Sequence, residues 1–469
     1  MALALNQIRR HLLAIISGIF FWAGFAPIEN GVFPIFGGAI LFYLLADRAF
    51  SERLISALLC GLAFFLPLLH WSSTYVGAAP WLILAAGEGL LFALVALFPL
   101  RKNLNGVLSF AAIFLLVELI RMKLPFGGFG WGRIGFTQVE TLNSLYPFLG
   151  VSGIAFALSV ISALIVLRKL PVLLGGFVFL LSVQLIPVED TGDNALKIAA
   201  VQGGVTQLGL DFNSRALEVL QRHIVATSAS GDIDLVLWPE NSVDVDPIYN
   251  AIAREKLTDF ISEVDTFVLT GTVEKSSNGP KNSSVLYRPD GTVLSRYVKQ
   301  DLAPFGEYIP LRSIAEKVSV HAKNVNDFVP GSSWQPMIID GQQFQSFICF
   351  EVLDDDHVRA GAKDMDFLIA QTNNATFGDS PQAAQQLQIT RARAAELGKE
   401  FAVVSTTGFT SHLSAQGEIV ASLEQLTPGT LKMEISSRQE NTLASGLGTG
   451  FWAVFGGLIL FAGAIVNRR

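Results

Sequence analysis

The sequence predicts two folds in one chain, a polytopic α-helical membrane domain of about eight spans and an α/β domain. Hydrophobic residues make up 51% of the 469 residues and charged residues only 16%. The shortage of charge is confined to residues 1–190 and a last apolar run, whereas residues 191–445 have a globular composition. We therefore expect a membrane domain over 1–190, a globular domain over 191–445 and a C-terminal transmembrane helix over 446–469.

The membrane domain is predicted from apolar runs that approach the roughly 20 residues a helix needs to cross a bilayer. These runs occupy about 11–28, 31–46, 54–76, 78–100, 104–120, 146–167, 170–188 and 448–466. The second run is short and follows the first after a tight link, so the two can form a hairpin that does not fully cross. The first run lacks a small-residue cleavage site, and we expect it to be retained rather than removed as a signal peptide.

Basic residues in the short loops predict the orientation, because Lys and Arg accumulate at cytoplasmic ends. When the runs are numbered from the inside, every inside end carries a basic pair: Arg9 and Arg10, Arg48 and Arg53, Arg101 and Lys102, Arg168 and Lys169, Arg468 and Arg469. The outside loops carry few basic residues. This pattern predicts cytoplasmic termini and an extracytoplasmic globular domain.

The globular domain is predicted to be an α/β layered structure with buried sheets. Strands are expected at 197–201, 234–238, 267–270, 283–288, 292–299, 366–372 and 401–407, with a hairpin at Asp340-Gly341 and two short strands around Gln416. Helices are expected over 215–229, 250–264 and 381–399. The irregular segment 311–334 is long enough to be a lid or a binding element.

Three chemically useful side chains close strands of this domain. Glu240 ends Leu-Val-Leu-Trp-Pro-Glu, Lys299 ends Ser-Arg-Tyr-Val-Lys, and Cys349 ends the strand that follows Asp340. Catalytic groups of α/β folds collect at such strand ends. A carboxylate can take the proton of a thiol, and an ammonium can stabilise the oxyanion of a tetrahedral intermediate. Together the three residues predict nucleophilic catalysis by the cysteine.

Each of these residues also has an ordinary structural interpretation. The chain has one other cysteine, Cys60, which lies in an apolar run, and a free cysteine most often packs as a small hydrophobe. Glu240 could be a carboxylate at a helix N-terminus, and Lys299 could be an exposed strand end. Taken singly, these interpretations are at least as good as the catalytic one. The specific flanking sequences favour catalysis for the three together.

Those flanking sequences resemble the Glu-Lys-Cys triad of the nitrilase (carbon–nitrogen hydrolase) superfamily. The resemblance rests on Trp-Pro-Glu240, on Pro-Phe-Gly-Glu-Tyr-Ile-Pro (304–310) after Lys299, and on Ile-Cys349-Phe-Glu. Membrane spans on both sides of such a domain narrow the resemblance to the apolipoprotein N-acyltransferases, the last enzymes of bacterial lipoprotein maturation. The resemblance implies that residues 191–445 form an αββα sandwich.

The resemblance also implies a ping-pong acyl transfer. Cys349 would attack an acyl ester of a phospholipid and become a thioester, with Glu240 as the general base and Lys299 supporting the oxyanion. The acceptor would be the α-amino group of the S-diacylglyceryl-cysteine at the N-terminus of a lipoprotein. The implied location is the bacterial inner (plasma) membrane, and we expect the enzyme to act as a monomer.

Further residues take roles from the same resemblance. Glu307 would orient Lys299 or the base, and Phe350 and Glu351 would flank the nucleophile. In the membrane domain, Glu118-Leu-Ile-Arg121 and Gly-Phe-Gly-Trp131 resemble the loop between the family's fifth and sixth spans. They supply candidate lipid contacts at Glu118, Arg121 and Trp131.

The acidic residues of the membrane domain also have structural interpretations. Glu118 and Arg121 have the spacing of an i,i+3 ion pair. Glu88 lies deep in the fourth span, where a carboxylate is costly and is usually functional or paired. The sequence does not name its partner.

Three positions depart from the family pattern. Asn373-Asn374-Ala-Thr-Phe377 stands where Asn-Asp-Ala-Trp-Phe is typical, Leu208-Gly-Leu210 stands where Lys-Trp is usual, and Phe350 replaces a usual tyrosine. No member of the triad is lost. The missing tryptophans bear on the choice of acyl donor, and Asn374 and Phe377 are further candidate lipid contacts.

Composition disfavours several other functions. The net charge of −7 gives no hint of nucleic-acid binding, and the six histidines are scattered without metal-ligand spacing. We therefore expect no metal and no cofactor. Two alternatives stay open, a membrane-anchored carbon–nitrogen hydrolase and a non-enzymatic membrane protein that binds lipid or lipoprotein. The intact triad disfavours the second.

Overall fold

The computed structural model describes residues 2–169, 171, 175, 195–209, 216–228, 231–304, 306–318 and 326–468. The predicted seventh span lies almost entirely outside the described residues, as do Leu210 and parts of the predicted 215–229 helix and 311–334 segment. The described residues belong to two compact units. The first comprises Met1–Ser73, Gly77–Val188 and Thr442–Arg469, and the second comprises Thr74–Val76 and Glu189–Asn441.

The described helices are numbered in chain order. They are α1 (Ala2–Trp22), α2 (Val32–Leu45), α3 (Phe50–Leu68), α4 (Ala78–Phe92), α5 (Leu104–Lys123), α6 (Tyr146–Val166), α7 (Glu218–Ala226), α8 (Ala251–Val264), α9 (Arg312–Val318), α10 (Asp355–Ala362), α11 (Gln382–Leu397), α12 (Leu443–Gly446) and α13 (Thr449–Arg468). Helices α1–α6, α12 and α13 belong to the first unit.

The first unit has the helices of a membrane domain. Within the described residues, five segments are long and apolar enough to cross a membrane: Phe50–Leu68, Ala78–Ala96, Leu104–Lys123, Asn143–Val166 and Thr449–Val466. Helix α2 is apolar but only 14 residues long, which fits a hairpin that does not fully cross. Helix α1 covers the first predicted run, 11–28, as far as Trp22, and it also carries Arg9 and Arg10. The membrane character is confirmed, and the count of eight spans is approximate.

The helices of the first unit pack through phenylalanine rings and through small residues at close contacts. The ring of Phe21 lies 5.7 Å from those of Phe64 and Phe114, centroid to centroid. Helix α1 approaches α3 closely at Gly18, where a Cβ would lie 2.2 Å from the carbonyl oxygen of Cys60. The thiol of Cys60 is buried at this contact, so it serves packing.

The second unit contains twelve described strands in two sheets. The strands are β1 (Ala195–Gln202), β2 (Leu235–Leu237), β3 (Phe267–Glu274), β4 (Lys281–Tyr287), β5 (Val293–Val298), β6 (Met337–Ile339), β7 (Gln342–Ile348), β8 (Phe367–Thr372), β9 (Phe401–Ser405), β10 (Ser411–Leu413), β11 (Ile419–Ser422) and β12 (Gly429–Ser436). One sheet has the order β12-β1-β2-β3-β4-β5 and the other β11-β10-β9-β8-β7-β6.

The central strands of each sheet run parallel, β1–β2–β3 in one and β7–β8–β9 in the other. Parallel strands are covered on both faces and therefore have nearly continuous apolar sequences. All residues of β2 and β9 are buried. This explains why their apolar runs predicted buried strands.

The two sheets pack face to face around a shared core, and helices cover their outer faces. The shared core draws on both sheets, among others through Ile198, Leu237, Leu269, Phe344, Ile369 and Val404. A second core joins the other face of the first sheet to α7 and α8, through Leu220, Leu257 and Phe260. On the second sheet, His357 of α10 packs on the Phe347 ring of β7. These layers confirm the predicted αββα sandwich.

Strand β12 was not predicted from the sequence. It pairs antiparallel with β1 along its whole length, from Ala195 opposite Ser436 to Gln202 opposite Gly429. Only Met433 and Ile435 of this strand are buried. Such a short apolar signal near the edge of a sheet is too weak to predict a strand.

Candidate active site

The structure brings the three predicted strand ends of the second unit together. The Nζ of Lys299 lies 3.5 Å from Oε1 of Glu240. The charges of both residues affect the pKa of the Cys349 thiol, which Glu240 raises and Lys299 lowers. Glu240 and Lys299 are only 5% and 1% exposed, whereas Cys349 is partly exposed. A carboxylate and an ammonium withdrawn from water therefore adjoin a thiol that is not fully covered.

Close packing of backbone holds Glu240 in place. A Cβ at Gly271 of β3 would lie 2.4 Å from the carbonyl oxygen of Pro239 and 2.5 Å from the Cα of Glu240. From another strand end, Oγ1 of Thr406 donates a hydrogen bond to the carbonyl oxygen of Glu240 at 3.2 Å. The backbone of Glu240 is thereby fixed just beyond the carboxyl end of β2.

A second carboxylate and an amide complete the charged cluster. Oε2 of Glu307 lies 2.7 Å from Nζ of Lys299. The Nδ2 of Asn282 donates to Oε1 of Glu307 at 2.8 Å and to Oε1 of Glu240 at 2.7 Å. One amide nitrogen thus lies between two carboxylates that would otherwise repel each other. The position of Glu307 suits the orienting role that the resemblance implies.

Asn282 was not singled out from the sequence. It lies in β4 and is buried. Its backbone carbonyl oxygen accepts the backbone N–H of Lys299 at 2.9 Å. Asparagine is depleted in strands, so a strand asparagine is a usable signal. A search for apolar alternation passes over it, because such a search scores only the hydrophobic positions.

Cys349 occupies a sharp turn between a strand and a short helix. Strand β7 ends at Ile348, and a 3₁₀ helix, Cys349–Leu353, begins at the next residue. The φ of Cys349 is 52°, in the left-handed region that non-glycine residues rarely adopt. Residues 348–353 are called the nucleophile elbow below, because this turn presents the thiol at the end of the sheet.

The carboxylate of Glu351 stabilises the nucleophile elbow by hydrogen bonding to its first residue. Its Oε2 accepts the N–H of Ile348 at 2.7 Å. Its Oε1 accepts the hydroxyl of Tyr297 at 2.7 Å and the N–H of Gln300 at 2.8 Å. Glu351 therefore ties the turn at the thiol to the segment on either side of Lys299. It is a positioning residue.

His357 lies beside this carboxylate. Its Nε2 lies 3.3 Å from Oε1 of Glu351, and its Nδ1 lies 3.3 Å from Oδ2 of Asp301. Burial disfavours the imidazolium, but Glu351 and then Asp301 outweigh burial and raise the pKa of His357. Burial likewise opposes the charge of Glu351, but the adjacent His357 and the hydrogen bonds from Ile348 and Tyr297 lower its pKa.

Arg393 of α11 closes the other end of the nucleophile elbow. Its Nε donates to the carbonyl oxygen of Val352 at 2.8 Å, and its Nη2 donates to that of Leu353 at 3.0 Å. The same Nη2 lies 2.6 Å from Oδ1 of Asp355. The guanidinium thus satisfies carbonyl groups that the end of a short helix leaves without partners.

Burial and neighbouring charges together set the pKa values of the cluster. It raises the pKa of Glu240, because Lys299 offsets only part of the desolvation and Glu307 adds repulsion. Burial and the charge of Glu240 raise the pKa of Cys349 to about 12. Burial disfavours the charge of Lys299, but Glu307 and Glu240 raise its pKa. The resting site therefore holds a thiol and an ammonium, and Glu240 is a stronger base than an exposed carboxylate.

The other predicted residues of this unit lie in two settings. Phe350, which is predicted to flank Cys349, and Phe377, a predicted lipid contact, are both partly exposed. Asn374 is buried, and its Nδ2 donates to Oε1 of Gln386 at 2.9 Å. Its contacts therefore place it in an internal hydrogen-bond network.

In the first unit, the structure supplies a partner for Glu88. The Nε of Arg121 donates to Oε2 of Glu88 at 2.6 Å, and its Nη2 donates to the carbonyl oxygen of Trp131 at 2.8 Å. Both charged side chains are buried. The ion pair joins α4 to α5, and it also holds the chain that follows α5.

Glu118 bonds away from Arg121. Its Oε1 accepts the N–H of Ile134 at 2.8 Å, and its Oε2 lies 3.9 Å from Nε of Arg133. The i,i+3 pairing of Glu118 with Arg121 was therefore wrong. Spacing within one helix predicts such a pair only when no neighbouring segment offers a better partner.

Trp131, another predicted lipid contact, is buried in the loop between α5 and α6. Its ring lies 5.1 Å from that of Trp71 and stacks on Phe129 at 6.1 Å, centroid to centroid. Its contacts include aromatic packing and the hydrogen bond that its carbonyl oxygen accepts from Arg121. A lipid contact at Trp131 stays a prediction.

His223 is buried beside the first sheet, where its Nδ1 lies 2.8 Å from the carbonyl oxygen of Val219 and burial lowers its pKa to about 4. Across the described part of the chain, no group of three or more His, Cys, Asp and Glu could hold a metal ion.

Two family profiles match the chain. Apolipoprotein N-acyltransferase N-terminal domain matches residues 17–164, and Carbon-nitrogen hydrolase matches residues 197–442. The second match includes Glu240, Lys299 and Cys349.

Individual relatives match over most of their length. Apolipoprotein N-acyltransferase of Mycolicibacterium smegmatis is 31% identical over 97% of this chain and 85% of its own. That of Haemophilus influenzae is 29% identical over 95% of this chain and 92% of its own. A solved amidase from Nesterenkonia sp. is similar to 54% of this chain and 93% of its own, with 19% identity and a TM-score of 0.38.

Proposed function

The chain belongs to the apolipoprotein N-acyltransferase family, and we propose that Cys349 carries an acyl chain from a phospholipid to the N-terminal amine of a lipoprotein. The protein is thus an acyltransferase built on a carbon–nitrogen hydrolase domain. One observation carries the catalytic assignment: the Nζ of buried Lys299 lies 3.5 Å from Oε1 of Glu240, and the charge of Lys299 lowers the pKa of the Cys349 thiol against the effect of burial.

In the first half-reaction, the thiol attacks the carbonyl carbon of a phospholipid acyl ester. Glu240 takes the thiol proton as the C–S bond forms, and the ammonium of Lys299 donates a hydrogen bond to the oxyanion. The C–O bond of the ester then breaks. Glu240 returns the proton to the departing oxygen, so that a lysophospholipid leaves and a thioester stays on Cys349.

In the second half-reaction, an amine takes the place of the alcohol. The α-amino group of the diacylglyceryl-cysteine attacks the thioester carbon, and Glu240 takes one of its protons. The C–N bond forms, the C–S bond breaks, and the proton returns to the sulfur of Cys349. The products are an N-acylated lipoprotein and free enzyme, with no net uptake or release of water.

The bilayer supplies both substrates in this scheme. The apolar helices of the first unit place the chain in a membrane, and we take this to be the bacterial inner membrane. The basic pairs at alternate helix ends support cytoplasmic termini and an extracytoplasmic catalytic domain at 191–445. A lipid ester and a lipid-bearing peptide both reside at that surface.

Acylation of a defined acceptor tests the proposal. Purified full-length protein is mixed with vesicles of a phospholipid bearing one isotope-labelled acyl chain and with a peptide that begins with S-diacylglyceryl-cysteine. Mass spectrometry is expected to show the label in an amide on the peptide, and Cys349→Ala is expected to abolish it. Release of labelled fatty acid with no acylated peptide would instead identify a hydrolase.

The intermediate offers a second measurement. With phospholipid vesicles alone, the protein is expected to gain the mass of one acyl chain, and that mass should map to the peptide containing Cys349. An adduct on Cys60 would overturn the assignment of the nucleophile.

A further inference from the structure

Side chains of the second unit form a hydrogen-bonded chain that ends on the sulfur of Cys349. The backbone N–H of Gly408 donates to Oγ of Ser405 at 2.7 Å, and that hydroxyl donates to Oδ1 of Asn374 at 2.6 Å. The Nδ2 of Asn374 donates to Oε1 of Gln386 at 2.9 Å. The Nε2 of Gln386 donates to Sγ of Cys349 at 3.6 Å.

The bond from Gly408 to Ser405 helps to determine which group donates and which accepts in the later bonds. A backbone N–H can only donate, so the Ser405 oxygen accepts from Gly408. Among the described residues, the acceptor for the proton of the Ser405 hydroxyl is Oδ1 of Asn374. The amide oxygen of Asn374 therefore faces Ser405, and its NH₂ group faces Gln386. This orientation leaves the NH₂ group of Gln386 as the part that faces sulfur.

Neighbouring groups support the same orientation. Oδ1 of Asn374 also accepts the hydroxyl of Thr372 at 3.1 Å. Oε1 of Gln386 also accepts Nε2 of Gln382 at 3.3 Å. Ser405, Asn374 and Gln386 are all buried, so water does not compete for these bonds. The donor is thus held against the sulfur before any substrate arrives.

We propose that Gln386 is a catalytic residue whose side-chain N–H stabilises negative charge on the sulfur of Cys349, with Asn374 and Ser405 as positioning residues. This inference deepens the proposed function, on which it rests. In that reaction charge develops on sulfur twice, when the thiol loses its proton and when the thioester C–S bond breaks. A donor to the anionic form favours both events.

The asparagine at position 374 is essential to this arrangement. An aspartate at this position could only accept from its neighbours. Gln386 would then turn its NH₂ group toward the aspartate and its carbonyl oxygen toward sulfur. A carbonyl oxygen disfavours a thiolate, so Asn374→Asp reverses the effect of Gln386 without changing the size of either side chain.

Alkylation of the thiol tests this proposal. Full-length protein in detergent is treated with iodoacetamide between pH 6 and 9, and the rate is read from the mass of the Cys349 peptide. The rate follows the thiolate fraction, so Gln386→Leu and Asn374→Asp are each expected to react roughly 3–30-fold more slowly at every pH. An unchanged rate in folded Gln386→Leu protein overturns the proposal.

Two controls separate chemistry from folding. Gln388 is buried on α11 two residues along, roughly 200° around the helix from Gln386, so Gln388→Leu is expected to keep the wild-type alkylation rate. If Gln386→Leu fails to fold, Asn374→Asp carries the test, and wild-type alkylation of that folded variant overturns the proposal. Alkylation needs neither lipid nor peptide, so its outcome is independent of the acyl-transfer assay.

Discussion

The ammonium of Lys299 lies closer to Glu307 than to Glu240, with its Nζ 2.7 Å from Oε2 of Glu307 and 3.5 Å from Oε1 of Glu240. Glu307→Gln is therefore expected to loosen Lys299 and slow thioester formation roughly 10–100-fold, less than the roughly 100–1,000-fold lost when an oxyanion donor is itself removed. Thioester formation is measured by intact mass with phospholipid alone.

A matched control for that variant lies on α9. Glu316 pairs with Arg312 at a partly exposed site, and Glu316→Gln is expected to leave the rate of thioester formation unchanged. Equal loss in both variants would show that Glu307 has no special role in orienting Lys299.

The rate of thioester formation is expected to fall at acid pH. Glu240 acts as a base only when ionised, and burial raises its pKa, so activity should be lost at a higher pH than for an ordinary carboxylate. No alkaline loss is expected up to pH 9, because Glu307 and Glu240 keep Lys299 charged against the effect of burial. The measurement is the initial rate between pH 5 and 9. A rate that is flat down to pH 5 would contradict this role of Glu240.

His357 is expected to make the second unit less stable at alkaline pH. Its pKa is raised in the fold because Glu351, Asp301 and Asp354 outweigh burial. The stabilisation is therefore complete below the unfolded value of about 6.5 and is lost as the pH rises through the folded value. The midpoint of thermal unfolding of wild-type protein should fall between pH 6 and 9. That of His357→Gln should fall less, and parallel curves would refute the prediction.

Arg121→Leu is expected to destabilise the first unit by about 3–5 kcal/mol, because it leaves the carboxylate of Glu88 buried without its partner. The double variant Glu88→Leu, Arg121→Leu removes both charges and should recover most of that loss. Thermal unfolding in detergent completes the double-mutant cycle. Additive losses in the two single variants and the double variant would show that the 2.6 Å pair is not coupled.

Strand ends made the catalytic cluster predictable from the sequence. The apolar strands before Glu240 and Cys349 are buried on both faces, so their ends were clear, and parallel strands bring such ends to one edge of the sheets. The fold class followed from the same buried runs. The resemblance added Glu307 and Glu351, whose bonds to Lys299 and to the nucleophile elbow are seen in the structure.

Contacts between elements distant in sequence could not be predicted in this way. Asn282 and Gln386 act through amide groups whose partners lie on other strands and helices, and no local pattern marks them. Arg121 had an apparent partner three residues away, but its carboxylate comes from α4 instead. A polar side chain in a buried site bonds to whatever the tertiary fold brings near, and one sequence alone does not contain that information.

The pairing of β1 with β12 determines how the second unit is joined to the rest of the chain. Ala195 and Ser436 are paired across the antiparallel ladder, so the globular unit begins and ends on neighbouring strands, about 5 Å apart. A domain with adjacent ends can be inserted into another chain at little cost in loop-closure entropy. The chain therefore enters and leaves this unit through one pair of neighbouring strands, so the unit can interrupt a sequence of apolar helices with its two junctions side by side.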